Sequence, residues 1–131
     1  MTDPKENSDF IYKELSYKLI GFAYEVYSSI GKGLKEQIYK DAYAKVLETE
    51  EISFKREVFY PVKIRDKVST RRYFDFLIED KIVIEFKVGE RGYFDCFNQL
   101  LEYLKISNFK LGIIIRFTLD GVRIKRIPNL Y

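Results

Sequence analysis

Two short apolar runs on either side of a helical repeat constrain this chain more than any other feature. Ile82-Val-Ile-Glu-Phe-Lys-Val88 and Leu111-Gly-Ile-Ile-Ile-Arg-Phe117 have the length and β-branched content of buried strands. Between them, Tyr93 to Ser107 has helical spacing, with Phe94, Phe97, Leu101 and Leu104 on one face. Strand, helix, strand is a crossover unit, so the two strands are expected to lie parallel with a right-handed connection.

The remaining segments attach to that unit. Leu15, Leu19, Phe22, Ala23, Val26 and Ile30 form the one-sided stripe of a helix over Asp9 to Ile30, stopped by Gly31-Lys32-Gly33. A second helix is expected from Leu34 to about Glu51, with Leu34, Ile38, Ala42, Val46 and Leu47 buried. From Ser53 the period changes to two. Phe54 to Arg65 reads as a strand whose Pro61 marks an edge or a bulge, and Arg72 to Ile78 as its successor. A last strand, Val122 to Ile127, follows the turn dipeptide Asp120-Gly121. The predicted order is ααβββαββ, an α/β fold. Residues 1–8 are polar and expected to be a flexible tail, and 9–131 one domain without repeat or composition shift.

Composition then excludes several chemistries. A chain of 131 residues with 47% hydrophobic content can bury roughly two thirds of its unfolded surface without metal or disulfide staples. It has no histidine, which removes Ser-His-Asp and Cys-His nucleophile systems, imidazole bases and the commonest zinc sites. Catalysis would have to use carboxylates, lysines, tyrosines or a hard cation. The lone Cys96 cannot form an internal disulfide, fits a reducing compartment and reads as a small buried hydrophobe. No stretch approaches the roughly 20 apolar residues of a membrane span, and a cytoplasmic location is expected. A net charge of +3 permits a polyanionic partner without demanding one. Eleven Tyr and eleven Phe exceed what a core of this size needs, which suits a groove or an interface, a homodimer included.

The central hairpin concentrates the ionisable residues. If Ile78 pairs with Ile82 around Glu79-Asp80-Lys81, then Phe76 faces Ile84 and Phe74 faces Phe86, giving one apolar face. The other face then sets Asp75 across from Glu85, Leu77 from Val83 and Tyr73 from Lys87. Opposed carboxylates with Cβ atoms about 5 Å apart repel, so they call for a cation, a cationic neighbour or a raised pKa. Lys87, two residues beyond Glu85, could polarise a phosphate, orient a water or merely neutralise the pair. A solvated sheet edge with a Lys–Glu pair is the structural alternative.

Asp75 followed by Glu85-Phe86-Lys87 on the next strand resembles the D…ExK core of the PD-(D/E)XK nuclease superfamily. Gly33-Leu-Lys-Glu36-Gln-Ile-Tyr39 is similar to the pattern that names the GxxExxY branch of that superfamily. Gln99-Leu-Leu-Glu-Tyr103 resembles the QxxxY element of RecB-type nucleases. The first motif departs from the common pattern in having Phe74, and not proline, before the aspartate.

The resemblance, which covers about Leu15 to Ile127, implies a restriction-endonuclease-like three-layer domain, a central mixed sheet flanked by helices. It implies hydrolysis of phosphodiester bonds in DNA or RNA with Mg²⁺ or Mn²⁺. Asp75 and Glu85 would be metal carboxylates, with the backbone carbonyl of Phe86 as a further ligand, and Lys87 would position or activate the attacking water. Glu36 would complete the acidic cluster, and Gln99, Tyr103 and Tyr39 would line the cleft. Read without the family, Glu36 in a first helical turn suits the helix dipole alone. Gln99 and Tyr103 could equally flank a core stripe. Lys55, Arg56, Lys63, Arg65, Arg71, Arg72, Arg116, Arg123, Lys125 and Arg126 could track a phosphate backbone or be scattered solvation. The rival functions are a non-catalytic nucleic-acid- or protein-binding module of the same fold and an aromatic-rich interaction protein that dimerises.

Overall fold

The computed structural model describes residues 11–130; the expected tail at 1–8 lies outside them. Its elements are α1 (Lys13–Ile30), α2 (Glu36–Thr49), β1 (Phe54–Ile64), β2 (Lys67–Ile78), β3 (Ile82–Val88), α3 (Tyr93–Ile106), β4 (Leu111–Thr118) and β5 (Gly121–Pro128). The order matches the sequence reading. α1 starts at Lys13, later than the expected Asp9. β2 begins five residues before the expected Arg72, because Arg65 and Asp66 both take positive φ and close a tight hairpin.

The sheet runs β1-β2-β3-β4-β5, with β3 and β4 parallel and every other pair antiparallel. Pro61 sits on the edge strand β1, where a missing N–H does least harm. α1 and α2 cover one face, packing Leu19, Tyr39, Tyr43 and Leu47 on Phe76, Ile84, Phe86 and Ile113. α3 covers the other, packing Cys96, Leu100 and Leu104 on Leu77, Val83 and Ile114. This is the three-layer mixed α/β architecture of the restriction-endonuclease-like fold. Gly112 lets α3 approach β4, since a Cβ there would lie 2.9 Å from Leu100 Cδ2.

Two helix faces differ from expectation. On α2 the buried residues are Tyr39, Lys40, Tyr43, Ala44 and Leu47, while Ile38 is 46% exposed. A count of aliphatic positions misplaces this face because both tyrosines bury their hydroxyls with partners. Tyr39 Oη donates to the Gly31 carbonyl at 2.7 Å and Tyr43 Oη to the Leu19 carbonyl at 2.8 Å. On α3 the small Cys96 is buried and Phe94 is 77% exposed, so the stripe is rotated away from the larger side chain.

Candidate active site

The ladder between β2 and β3 follows the expected register for three pairs, Ile78 with Ile82, Leu77 with Val83 and Phe76 with Ile84, and stops there. At Asp75 side chains replace the backbone bonds. The Phe86 N–H donates to Asp75 Oδ2 at 2.7 Å, and the Asp75 N–H donates to Glu85 Oε1 at 2.9 Å. Each carboxylate thus accepts an N–H of the opposite strand. The two acids are brought together as expected, but through this reciprocal bonding in place of a simple facing pair.

Alternation breaks at the same point. Phe76 packs under α1 and α2, yet Phe74, two residues earlier, joins Tyr60, Leu77 and Leu104 on the α3 side. The expected contact of Phe74 with Phe86 is therefore absent from the observed packing. A strand that gives up its ladder bonds at one residue is free to rotate there.

The opposite oxygen of Asp75 meets a group the sequence reading did not include. Lys40 Nζ on α2 donates to Asp75 Oδ1 at 2.9 Å and also stands 3.4 Å from Glu36 Oε2 and 3.7 Å from Glu57 Oε1. The side chains of Lys40 and Asp75 are only 9% and 10% exposed, whereas Glu36 and Glu57 are 38% and 54% exposed. The ammonium thus has its most buried partner on the inside and two carboxylates at the mouth. Glu57 takes a positive φ of 51° inside β1, between Arg56 and Val58, whose partners Phe76 and Phe74 flank Asp75. Non-glycine residues hold that conformation at a cost of about 1–3 kcal/mol and concentrate at functional sites. The available sequence signals were the i,i+4 spacing of Glu36 and Lys40 and the β-strand spacing of Glu57.

Electrostatics follow from this crowding. Burial, then the neighbouring Asp75 charge, pushes the Glu85 carboxyl up to about 8 against the opposing pull of the Asp75 N–H and of Lys87. Burial alone would lower the Lys40 pKa, but the hydrogen bond to Asp75 and the charges of Asp75, Glu36 and Glu57 outweigh it and hold it above the ordinary lysine value. Burial and the nearby Glu85 charge raise the Cys96 thiol to about 12, so it is no nucleophile.

The other expected residues are placed unevenly. Lys87 is half-buried beyond Glu85 on β3, its register partner Arg116 lying on β4, and its ammonium makes no hydrogen bond or ion pair with a described residue. Glu36 is tied to Asp75 through the Lys40 ammonium. Tyr39 is 1% exposed, with its ring stacked on Phe117 at 4.2 Å between centroids, turned into the core. Tyr103 packs among Tyr60, Phe74 and Phe109, and Gln99 is half-buried one turn earlier on α3. Several basic residues are engaged elsewhere: Arg56 with Asp41, Lys55 with Asp80, and Arg116 over the Tyr93 ring with Glu90 at 3.5 Å.

Among the described residues no three carboxylate or thiol side chains form a ready metal cage. The donor set nevertheless suits a hard divalent ion. Mg²⁺ takes one or two carboxylates and keeps several waters, and Asp75 and Glu85 are joined by reciprocal hydrogen bonds, with the Glu36 and Glu57 carboxylates close by on the Lys40 ammonium.

A mixed five-stranded sheet between helices, carrying an acid on one central strand and Glu-x-Lys on the next, defines a nuclease-type architecture. The model of the PD-(D/E)XK nuclease superfamily matches residues 13–127, and the chain belongs to that superfamily. In three dimensions it is similar to the crystal structure of SSO0001, with a TM-score of 0.55 and 21% identity over 96% of this chain, a likeness of fold. The chain spans 62% of the length of that protein. Comparison with curated proteins finds no significant match. No helix among the described residues is long and apolar enough to cross a membrane.

Proposed function

We propose that the protein is a divalent-metal-dependent nuclease of the GxxExxY type that hydrolyses phosphodiester bonds in DNA or RNA. The observation that carries this reading is the reciprocal bonding of Asp75 and Glu85 where β2 and β3 part, with Lys87 two residues along the same strand. Asp75, Glu85 and the Phe86 carbonyl would hold Mg²⁺ or Mn²⁺, and such an ion, when bound, supplies a Lewis acid for the scissile phosphate and a more acidic water. Lys87 orients the attacking water or neutralises the phosphate through its ammonium, and its C-terminal position on β3 suits a ligand entering at the strand ends. Arg116, the register partner of Lys87, is held over the Tyr93 ring and by Glu90, and would add a second cation for a polyanion only on leaving the exposed Glu90. Gln99 and Tyr103 would border the substrate from α3. Tyr39 would support the site from beneath by fixing the start of α2, next to Glu36 and Lys40.

The alternative, a non-catalytic nucleic-acid- or protein-binding module of the same fold, draws its support from the Lys40 ammonium, which already neutralises Asp75. Cleavage of single- and double-stranded DNA and RNA with Mg²⁺ or Mn²⁺ separates the two. Wild type should cleave at least one substrate. Asp75→Asn should lose both metal binding, read by calorimetry, and cleavage. Lys87→Met should keep metal binding and lose cleavage. Metal binding by wild type with no cleavage of any substrate would establish the binding module instead.

A further inference from the structure

We propose that Lys40 is a resident cation that holds the metal site in the absence of metal, and that its ammonium must leave Asp75 for a divalent ion to enter. The inference rests on the reading of Asp75 and Glu85 as metal carboxylates. Three observations carry it. The Lys40 ammonium lies 2.9 Å from Asp75 Oδ1, the carboxylate oxygen that does not accept the Phe86 N–H. An incoming ion would therefore meet a like charge at that oxygen. Lys40 is also 7% exposed and reaches the site from α2, an element that contributes no other buried cation. Finally, the ammonium has somewhere to go: Glu36 and Glu57 already stand 3.4 and 3.7 Å away on the solvent side.

The chemistry of the two cations fits an exchange. A lysine ammonium is a compact charge on a flexible four-carbon stem, able to move a few ångströms while keeping an ion pair. Without it, Asp75, Glu85, Glu36 and Glu57 would crowd one another with only Lys87 nearby. With it, the metal-free protein is stable, and the ion must compete for its place. The protein would thus bind divalent cations more weakly than its carboxylates alone would allow, which tunes occupancy to higher concentrations of the ion.

The test is Mn²⁺ binding by calorimetry together with melting in metal-free buffer, for wild type, Lys40→Gln, Lys40→Arg and Asp75→Asn. Lys40→Gln should melt lower without metal yet bind Mn²⁺ at least about tenfold more tightly, about 1.4 kcal/mol. Lys40→Arg, which keeps the charge, should bind no more tightly than wild type. A purely structural lysine would lower stability and leave affinity unchanged or weaker. That result, in a series where wild type binds and Asp75→Asn does not, overturns the role of Lys40 and leaves the metal site standing. If neither folded wild type nor folded Lys40→Gln binds Mn²⁺, the metal reading falls and this inference with it. Should Lys40→Gln not fold, the wild-type protein decides. The ¹⁵N-labelled ammonium signal of Lys40, assigned by its loss in Lys40→Arg, should shift on saturation with Mg²⁺, and an unmoved signal overturns the proposal.

Discussion

Replacing Glu85 by glutamine should remove a pH dependence of stability that the site imposes on the metal-free protein. The Glu85 carboxyl titrates near 8 in the folded state, raised from about 4.5 by burial and by Asp75. The folded state therefore binds this proton more tightly than the unfolded chain does. Stability is complete below about pH 4.5 and declines as pH rises through about 8, with a limiting slope of about 1.4 kcal/mol per pH unit. With part of the side chain reaching solvent, the loss between pH 5 and 8 should be about 2–4 kcal/mol. The chain contains no histidine, so no other side chain with an ordinary pKa titrates in that window. Glutamine keeps an acceptor for the Asp75 N–H, now 2.9 Å from Glu85 Oε1, and has no charge to desolvate. The assay is urea unfolding at pH 5, 6, 7 and 8 with a chelator present. Wild type should weaken steadily and Glu85→Gln should stay flat. An equal slope in both proteins, or a wild type that gains stability with pH, would refute the account of the site's electrostatics.

Three further outcomes are expected. Glu36→Gln removes one of the two outer partners of Lys40, so the ammonium is less easily drawn from Asp75. Mn²⁺ affinity should fall roughly threefold, while metal-free stability changes by less than about 1 kcal/mol, both read in one melting series. Gly112→Ala places a methyl 2.9 to 3.2 Å from three atoms of the fully buried Leu100; overpacking of this kind costs about 1–3 kcal/mol by denaturant unfolding. Tyr39→Phe loses the hydroxyl that donates to the Gly31 carbonyl but keeps the stack on Phe117. It should cost about 1 kcal/mol in stability and leave Mn²⁺ affinity unchanged, in keeping with a packing role for the tyrosine of the Gly33-x-x-Glu36-x-x-Tyr39 segment.

What the chain specifies locally was readable from it. The change of hydrophobic period locates every helix and strand, because period depends only on neighbours along the chain. The parallel pairing of β3 with β4 follows from the length and helicity of what joins them, and the hairpin register from Ile78 with Ile82 to Phe76 with Ile84 follows from keeping apolar residues on one face. That register leads both strands to the point just beyond its last pair where Asp75 and Glu85 meet. The rest required the tertiary structure. Which face of α2 turns inward depends on whether Tyr39, Lys40 and Tyr43 find partners for their polar atoms. Those partners are carbonyls of Gly31 and Leu19 and a carboxylate 35 residues away. A buried hydroxyl or ammonium is costly alone and acceptable when bonded, so hydrophobicity by position cannot rank such residues. The break in the ladder at Asp75, the displacement of Phe74 to the opposite face and the approach of Glu57 from β1 have the same origin. Only when α2, β1, β2 and β3 are packed together does the site acquire more carboxylates than one strand pair can supply, and with them a need for the cation that Lys40 provides.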